Sequence, residues 1–266
     1  MSTTAVFGAG VMGEALVTGL LRGRWSPDNL VIAEKRPERA KELIARHGVR
    51  VLSNSEAASS ADVLVLVVKP QDMATLLEEI RPSVRPDALV VSLAAGITTD
   101  FISKRLPNDI AVVRVMPNTP ALVDEGMAAV SAGRHCTDEH LAQAEEMLRA
   151  VGKVVRVPEV QQDAVTAISG SGPAYIFFIV EAMIEAGVSL GLDREIASEL
   201  TIQTLVGSAV MLRETGERPS VLRENVTSPG GTTVAALREL EHSNVHDAFL
   251  TAMEAARDRS KELAAG

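Results

Sequence analysis

Short apolar runs alternate with amphipathic stretches through the first part of the chain, and then the alternation stops. Residues 3–7, 30–33, 49–52, 63–68, 88–93, 111–116, 127–131 and 153–157 read as strands. Between them, residues 11–21, 37–46 and 138–150 carry apolar positions at helical spacing. The run Val63-Leu64-Val65-Leu66-Val67-Val68 is apolar without a break, as expected for a strand covered on both faces. Strands alternating with helices predict a mostly parallel, doubly wound α/β sheet. Beyond about residue 157 only helical patterns remain, at 172–187, 194–213, 232–240 and 245–263. The pattern therefore predicts an N-terminal α/β domain over residues 1–157 and an all-helical domain over 158–266. The stretch 197–212 is too apolar for about a hundred residues to cover, so a subunit interface is expected there.

Two glycine-rich turns carry the candidate chemistry. Gly8-Ala9-Gly10-Val11-Met12-Gly13 follows the first strand and opens a helix, which is the setting of a dinucleotide-binding loop. Gly8 allows a tight turn, Gly10 lets a pyrophosphate approach the backbone, and Gly13 lets helix and strand pack closely. Asn225-Val226-Thr227-Ser228-Pro229-Gly230-Gly231-Thr232-Thr233 opens a helix far from the first. Its glycines and the first helical amides suit a small anion such as a carboxylate, although an ordinary helix cap has the same composition. Glu34 ends the second strand, where an acid commonly holds the ribose hydroxyls of NAD; Lys35 and Arg36 follow and could hold the 2′-phosphate of NADP. The two adjacent cations favour NADP(H), with NAD(H) as the alternative. Val68-Lys69-Pro70, Ala94-Ala95-Gly96 and Met116-Pro117-Asn118 sit at the C-terminal ends of predicted strands, the side on which this class of sheet binds ligands.

Composition narrows the function. The net charge of −9 and an aromatic content of 3 % argue against nucleic-acid or anionic-membrane partners. No run of about 18 apolar residues exists, so no transmembrane helix is expected. A strand starts at residue 3, so no leader is expected; with the single cysteine, Cys136, this points to the cytoplasm. His135 and His140 lie close to Cys136 in sequence, but an exposed loop explains them and no metal site is expected.

Six segments, in order, resemble the pyrroline-5-carboxylate reductase family: GAGVMGEAL, VLVLVVKPQ, VSLAAGIT, RVMPNTP, AISGSGPAY and NVTSPGGTTVAALREL. The resemblance runs nearly end to end. It implies a Rossmann domain followed by a helical domain that builds an intertwined dimer, with further assembly into decamers common in the family. It implies NAD(P)H-dependent reduction of the C=N bond of 1-pyrroline-5-carboxylate to L-proline, the last step of proline biosynthesis. By position it places cofactor contacts on the loop Gly8 to Gly13, on Lys35 and Arg36, and on Asn54, Val68, Lys69, Pro70 and Ala95. Substrate contacts fall on Glu159, Asn225, Ser228, Gly230, Gly231, Thr232 and Thr233, with Thr233 holding the ring nitrogen. The Ser169 to Pro173 stretch lies near the active site in the family.

Two other oxidoreductase readings stand beside this one. A β-hydroxyacid dehydrogenase would take an acid–base lysine from the helical half, and residues 154–260 contain none. A reductase of another cyclic imine passes that test, but has less need of the carboxylate-binding turn. A nucleotide sensor without catalysis would have no need of a second anion site.

Overall fold

A computed structural model describes residues 2–23, 25–107 and 109–265, without the side chains of 264 and 265. The strands are β1 Thr4–Phe7, β2 Leu30–Ala33, β3 Arg50–Leu52, β4 Val63–Leu66, β5 Leu89–Ser92, β6 Ala111–Met116, β7 Gly126–Ala132 and β8 Gly152–Arg156. The helices are α1 Val11–Arg22, α2 Pro37–His47, α3 Asn54–Ser60, α4 Met73–Ile80, α5 Thr99–Ser103, α6 Asp138–Leu148, α7 Gln162–Val165, α8 Gly172–Ser189, α9 Arg194–Thr215, α10 Pro219–Asn225, α11 Thr232–His242 and α12 Val245–Ala265.

All eight strands form one sheet in the order β3-β2-β1-β4-β5-β6-β7-β8. The first six are parallel in the order of a Rossmann-type sheet. β7 runs antiparallel to β6, and β8 is parallel to β7. The reversal follows from the connection: only a short 3₁₀ turn, Thr119–Val123, separates β6 from β7, too little chain for a parallel crossover. Both sheet faces are covered. Val6, Leu16, Leu20, Ile32, Val65 and Val113 lie in one core layer; Phe7, Leu64, Leu66, Met73, Leu77 and Val112 lie in the other. Alternate residues of one strand thus serve opposite layers, which is why the strands read as continuous apolar runs.

The structure adds helices that the hydrophobic pattern did not single out. α3 has the composition NSEAASS, with no apolar stripe, but Ser53 and Glu56 form a reciprocal capping box at its start. α4 places Met73, Leu76, Leu77 and Ile80 on one buried face, a spacing that was there to be read. The fourth strand ends at Leu66 rather than at residue 68, and Val67 and Val68 turn into a cleft instead.

By its contacts the chain divides into two compact units. One holds the residues up to Ser171 together with the segment from Ala256 onward; the other is Gly172–Ala255. Within the first unit, the Ser260 hydroxyl donates to Asp163 Oδ1 at 2.7 Å, fastening the end of α12 to α7. Within the second, α8 and α9 pack closely at Gly187, where an added Cβ would meet the Ala197 Cβ at 2.9 Å. α8 contains no buried residue, and α9 buries only Ala197 and Thr201. Within the helical stretch Glu159–Ser189, an 18-residue window has mean hydropathy 1.5 and is 6 % buried, so by length and composition the stretch is apolar enough to cross a membrane. The chain thus holds a helix apolar enough for a span although its sequence has no unbroken run of about 18 apolar residues. Scattered acidic residues break the run in sequence without lowering its mean hydropathy below that of a span.

Candidate functional site

The loop after β1 is built for close approach. A Cβ on Gly13 would come within 2.2 Å of the Gly8 carbonyl oxygen, so no side chain fits there. At Gly10 an added Cβ would meet nothing within 4 Å: the loop faces open space on the side where a ligand would come. Gly10 is also the N-cap of α1 and offers no side-chain cap, leaving the first amides of a 12-residue helix available to an anion. These features fit a dinucleotide pyrophosphate.

Beside the loop, the C-terminal ends of β4, β5 and β6 enclose a cleft of about 350 Å³. Met12, Val68, Lys69, Pro70 and Ala95, all singled out from the sequence, line it together. Lys69 has no ion-pair partner among the described residues and is the cleft's cation. Val11 is 67 % exposed and does not line the cleft.

Asn118 and the Ser169–Gly170 turn, which the sequence placed near the site without assigning contacts, shape the far wall. Asn118 Nδ2 donates to the Ser169 carbonyl at 3.1 Å, and its Oδ1 accepts the Met127 amide at 2.8 Å. Ser169 lies in a π-helical turn, Thr166–Gly170, closed by the Ser171 amide donating to the Thr166 carbonyl at 2.8 Å. Such turns occur preferentially at functional sites. Gly170 lines the cleft, and a Cβ there would collide with the Met116 Cε at 2.4 Å. Asn118 thus ties the loop after β6 to the π turn. These partners are far apart in sequence, and no local pattern pairs them.

A second pocket, of about 260 Å³, is lined by Glu34, Lys35, Leu52, Ser53, Asn54 and Glu79. Lys35 and its chain neighbour Arg36 are both already paired. Arg36 donates from Nε and Nη2 to the two oxygens of Glu34, each at 3.0 Å, and its amide adds a third bond at 2.9 Å. The Arg36 hydrogen bonds hold the Glu34 carboxyl below the usual carboxylate range against the opposing effect of burial. Lys35 Nζ lies 3.3 Å from Glu79 Oε2, which also accepts from Asn54 Nδ2 at 2.8 Å.

Glu159 lies outside both pockets. Its Oε1 accepts the Thr99 amide at 2.8 Å and its Oε2 accepts the Thr99 hydroxyl at 2.7 Å. The buried Arg114 on β6 is 3.5 Å from Oε1. Both carboxylate oxygens are committed within the first unit.

In the second unit, Asn225 ends α10 and the chain turns through Ser228, Gly230 and Gly231 into Thr232 and Thr233 of α11. Gly230 has φ +72°, a conformation that strains any residue with a side chain. The Ser228 carbonyl accepts the Gly231 amide at 3.0 Å, closing the turn. Gly231 caps α11 without a side-chain hydrogen bond, so the helix presents free amides. The Thr232 and Thr233 hydroxyls have no hydrogen-bond partner among the described residues, and Thr233 is half-buried. Anion-binding amides beside an unengaged hydroxyl can hold a carboxylate and a neighbouring polar atom. Among the described residues no cluster of three potential metal ligands exists.

Comparison with known proteins yields consistent matches. Residues 159–263 match the family model for pyrroline-5-carboxylate reductase dimerisation. Residues 3–96 match a model described as NADP oxidoreductase, coenzyme F420-dependent. The chain is similar to a pyrroline-5-carboxylate reductase of Corynebacterium melassecola, 47 % identical over 99 % of both chains. A solved pyrroline-5-carboxylate reductase from Coxiella burnetii superposes with a TM-score of 0.93 at 39 % identity, covering 98 % of both chains. That of Plasmodium falciparum, solved with NADP bound, superposes with a TM-score of 0.89 at 29 % identity, over 99 % of this chain and 98 % of that one.

Proposed function

The chain belongs to the pyrroline-5-carboxylate reductase family, and from that premise we infer that it transfers hydride from a nicotinamide cofactor to the C=N carbon of 1-pyrroline-5-carboxylate, giving L-proline. The observation that carries this reading is the pair of glycine turns, one suited to a pyrophosphate and one suited to a carboxylate, in a family member matched over its whole length.

NADP(H) is the cofactor, a reading supported by the NADP-bound relative and by the NADP oxidoreductase model over the first 96 residues. The bound dihydronicotinamide supplies the hydride. The loop Gly8 to Gly13 and the start of α1 would hold the pyrophosphate, with Met12, Val68, Lys69, Pro70 and Ala95 along the cleft. Lys35, Arg36 and Asn54 would face the adenosine end. The amides that open α11, with Asn225, Ser228, Gly230, Gly231 and Thr232 shaping the turn, would hold the substrate carboxylate. Thr233 would hydrogen-bond the ring nitrogen of the protonated imine, so that hydride addition to the imine carbon gives the amine without a further proton. A protonated imine is already electrophilic, so these residues contribute orientation more than acid–base chemistry. For Glu159 we propose an indirect part, anchoring Thr99 and Arg114.

The chain self-associates through its helical half, and the dimerisation model over residues 159–263 matches the most exposed apolar helices. We propose a dimer as the basic unit, assembling further to a decamer, with the functional boundary near Pro158 as that match suggests. Neither a nucleic acid nor a membrane is among the proposed partners, and the proposed location is the cytoplasm, in keeping with the net charge of −9 and the one cysteine. The test is loss of NAD(P)H absorbance when 1-pyrroline-5-carboxylate is added to the full chain. Consumption with another cyclic imine but not with the carboxylate-bearing one would overturn the substrate assignment.

A further inference from the structure

The pocket that would take the adenosine end of the cofactor is lined by two carboxylates, Glu34 and Glu79, and one cation, Lys35, with Arg36 next in the chain, and this bears on cofactor choice. Arg36 is chelated by Glu34, whose side chain is 6 % exposed. Lys35 leans on Glu79, a residue of α4, from the far wall of the same pocket. A 2′-phosphate brings close to two negative charges into this space. It gains most from a cation with no competing acid nearby, and neither cation is in that state.

We propose that Glu79 is a specificity-determining residue: by neutralising Lys35 and placing its own charge beside Asn54, it weakens binding of the 2′-phosphate and keeps NAD(H) usable alongside NADP(H). This rests on the cofactor assignment above and deepens it. Glu34 does not serve the same purpose in a testable way. Its carboxylate is buried against the glycine loop and positioned for ribose hydroxyls, so removing it would disturb both cofactors. Glu79 is 40 % exposed and touches only Lys35 and Asn54 among the polar groups recorded for it. Glu79→Gln removes the charge and keeps an oxygen for Asn54 Nδ2, so the pocket wall should stand.

The test is calorimetric titration of the full chain with 2′,5′-ADP (adenosine 2′,5′-bisphosphate) and with 5′-AMP, fragments that differ only in the 2′-phosphate. In Glu79→Gln the affinity for 2′,5′-ADP should rise about three- to fivefold, the scale of a half-exposed ion pair. Affinity for 5′-AMP should stay the same. Lys35→Met alone should change 2′,5′-ADP binding less than twofold, roughly the residue of a charge already neutralised. In the double variant the gain should vanish. The ratio of kcat/KM for NADPH over NADH should follow the same order. Unchanged or weaker 2′,5′-ADP binding in Glu79→Gln, equal tightening of both fragments, or a gain that survives Lys35→Met would each overturn the proposal. Failure of the wild-type chain to bind either fragment would instead overturn the cofactor assignment itself.

Discussion

At the scale of single residues, Thr233 and Asn118 show what a sequence can and cannot disclose. The turn that leads to Thr233 was legible because its residues are contiguous: two glycines, one at φ +72°, lead directly into a helix whose cap has no side-chain bond. Replacing Thr233 by valine keeps the shape and removes the hydroxyl, leaving a polar substrate atom without its partner at a cost of roughly 1–3 kcal/mol. We expect kcat/KM for the pyrroline carboxylate to fall about ten- to a hundredfold, with the NADPH Kd unchanged, since the nucleotide loop belongs to the other unit. Equal loss in both quantities would mean that Thr233 merely supports the helix start. Asn118 was legible only as a strand-end residue. Its two bonds reach the Met127 amide and the Ser169 carbonyl, nine and fifty-one positions away, a pairing that exists only once β7 has reversed and the π turn has formed. Asn118→Ala leaves both groups unpaired in a partly buried site. We expect a loss of about 1–3 kcal/mol in unfolding free energy, measured in urea. KM for NADPH should rise more than KM for the imine, because Asn118 borders the nucleotide cleft.

At the scale of elements, the sheet was legible from its apolar runs, and its mistakes have physical causes. Val67 and Val68 look like strand because a ligand-facing turn can be as apolar as a core. α3 hid because its helical character lies in a capping box rather than a stripe. Overlooking α4 was the costlier miss, since it carries Glu79 to the cofactor pocket. One element also predicts a pH response. Glu145 on α6 is buried and accepts from Arg156 and from Arg149, the latter at 2.8 Å. The Arg156 hydrogen bond holds its carboxyl below the usual range, outweighing burial. A carboxyl with a lowered folded-state pKa contributes stability that is complete above its unfolded value, about 4.3, and that is lost as pH falls through the lower folded value. Glu145→Gln should therefore lower Tm at neutral pH, by the equivalent of about 1–2 kcal/mol given two half-exposed arginines. Its Tm should also fall less steeply than that of the wild type below about pH 4.3. Parallel acid limbs for the two proteins would show that Glu145 is not among the groups that titrate on unfolding.

At the scale of the whole molecule, the two halves differ in how they satisfy their apolar residues. The sheet half buries its own: Phe7, Leu16, Leu64 and Leu77 are all fully or almost fully enclosed. The helical half does not. Phe177 and Phe178 of α8 are 66 % and 72 % exposed, and Leu190 is 85 % exposed. A single chain with this surface would carry an apolar patch well beyond what soluble monomers tolerate. The same observation could describe a membrane span, since Glu159–Ser189 is apolar enough. The family match at 159–263 favours a second copy as the cover. Each phenylalanine buried on association is worth about 1.5–3 kcal/mol, and a twofold assembly counts both twice. An obligate interface commonly exceeds about 2,000 Å², enough to keep chains paired at nanomolar concentration. We expect Phe177→Glu combined with Phe178→Glu to split the assembly: sedimentation at micromolar concentration should show monomers where the wild type shows dimers or larger species. Tm should fall and lose the dependence on protein concentration that an assembled wild type shows. Reductase activity should be lost, while 5′-ADP binding persists, because the nucleotide loop lies in the unit that buries its own core. If the doubly charged variant remains assembled and active, α8 is not the surface on which the chains meet.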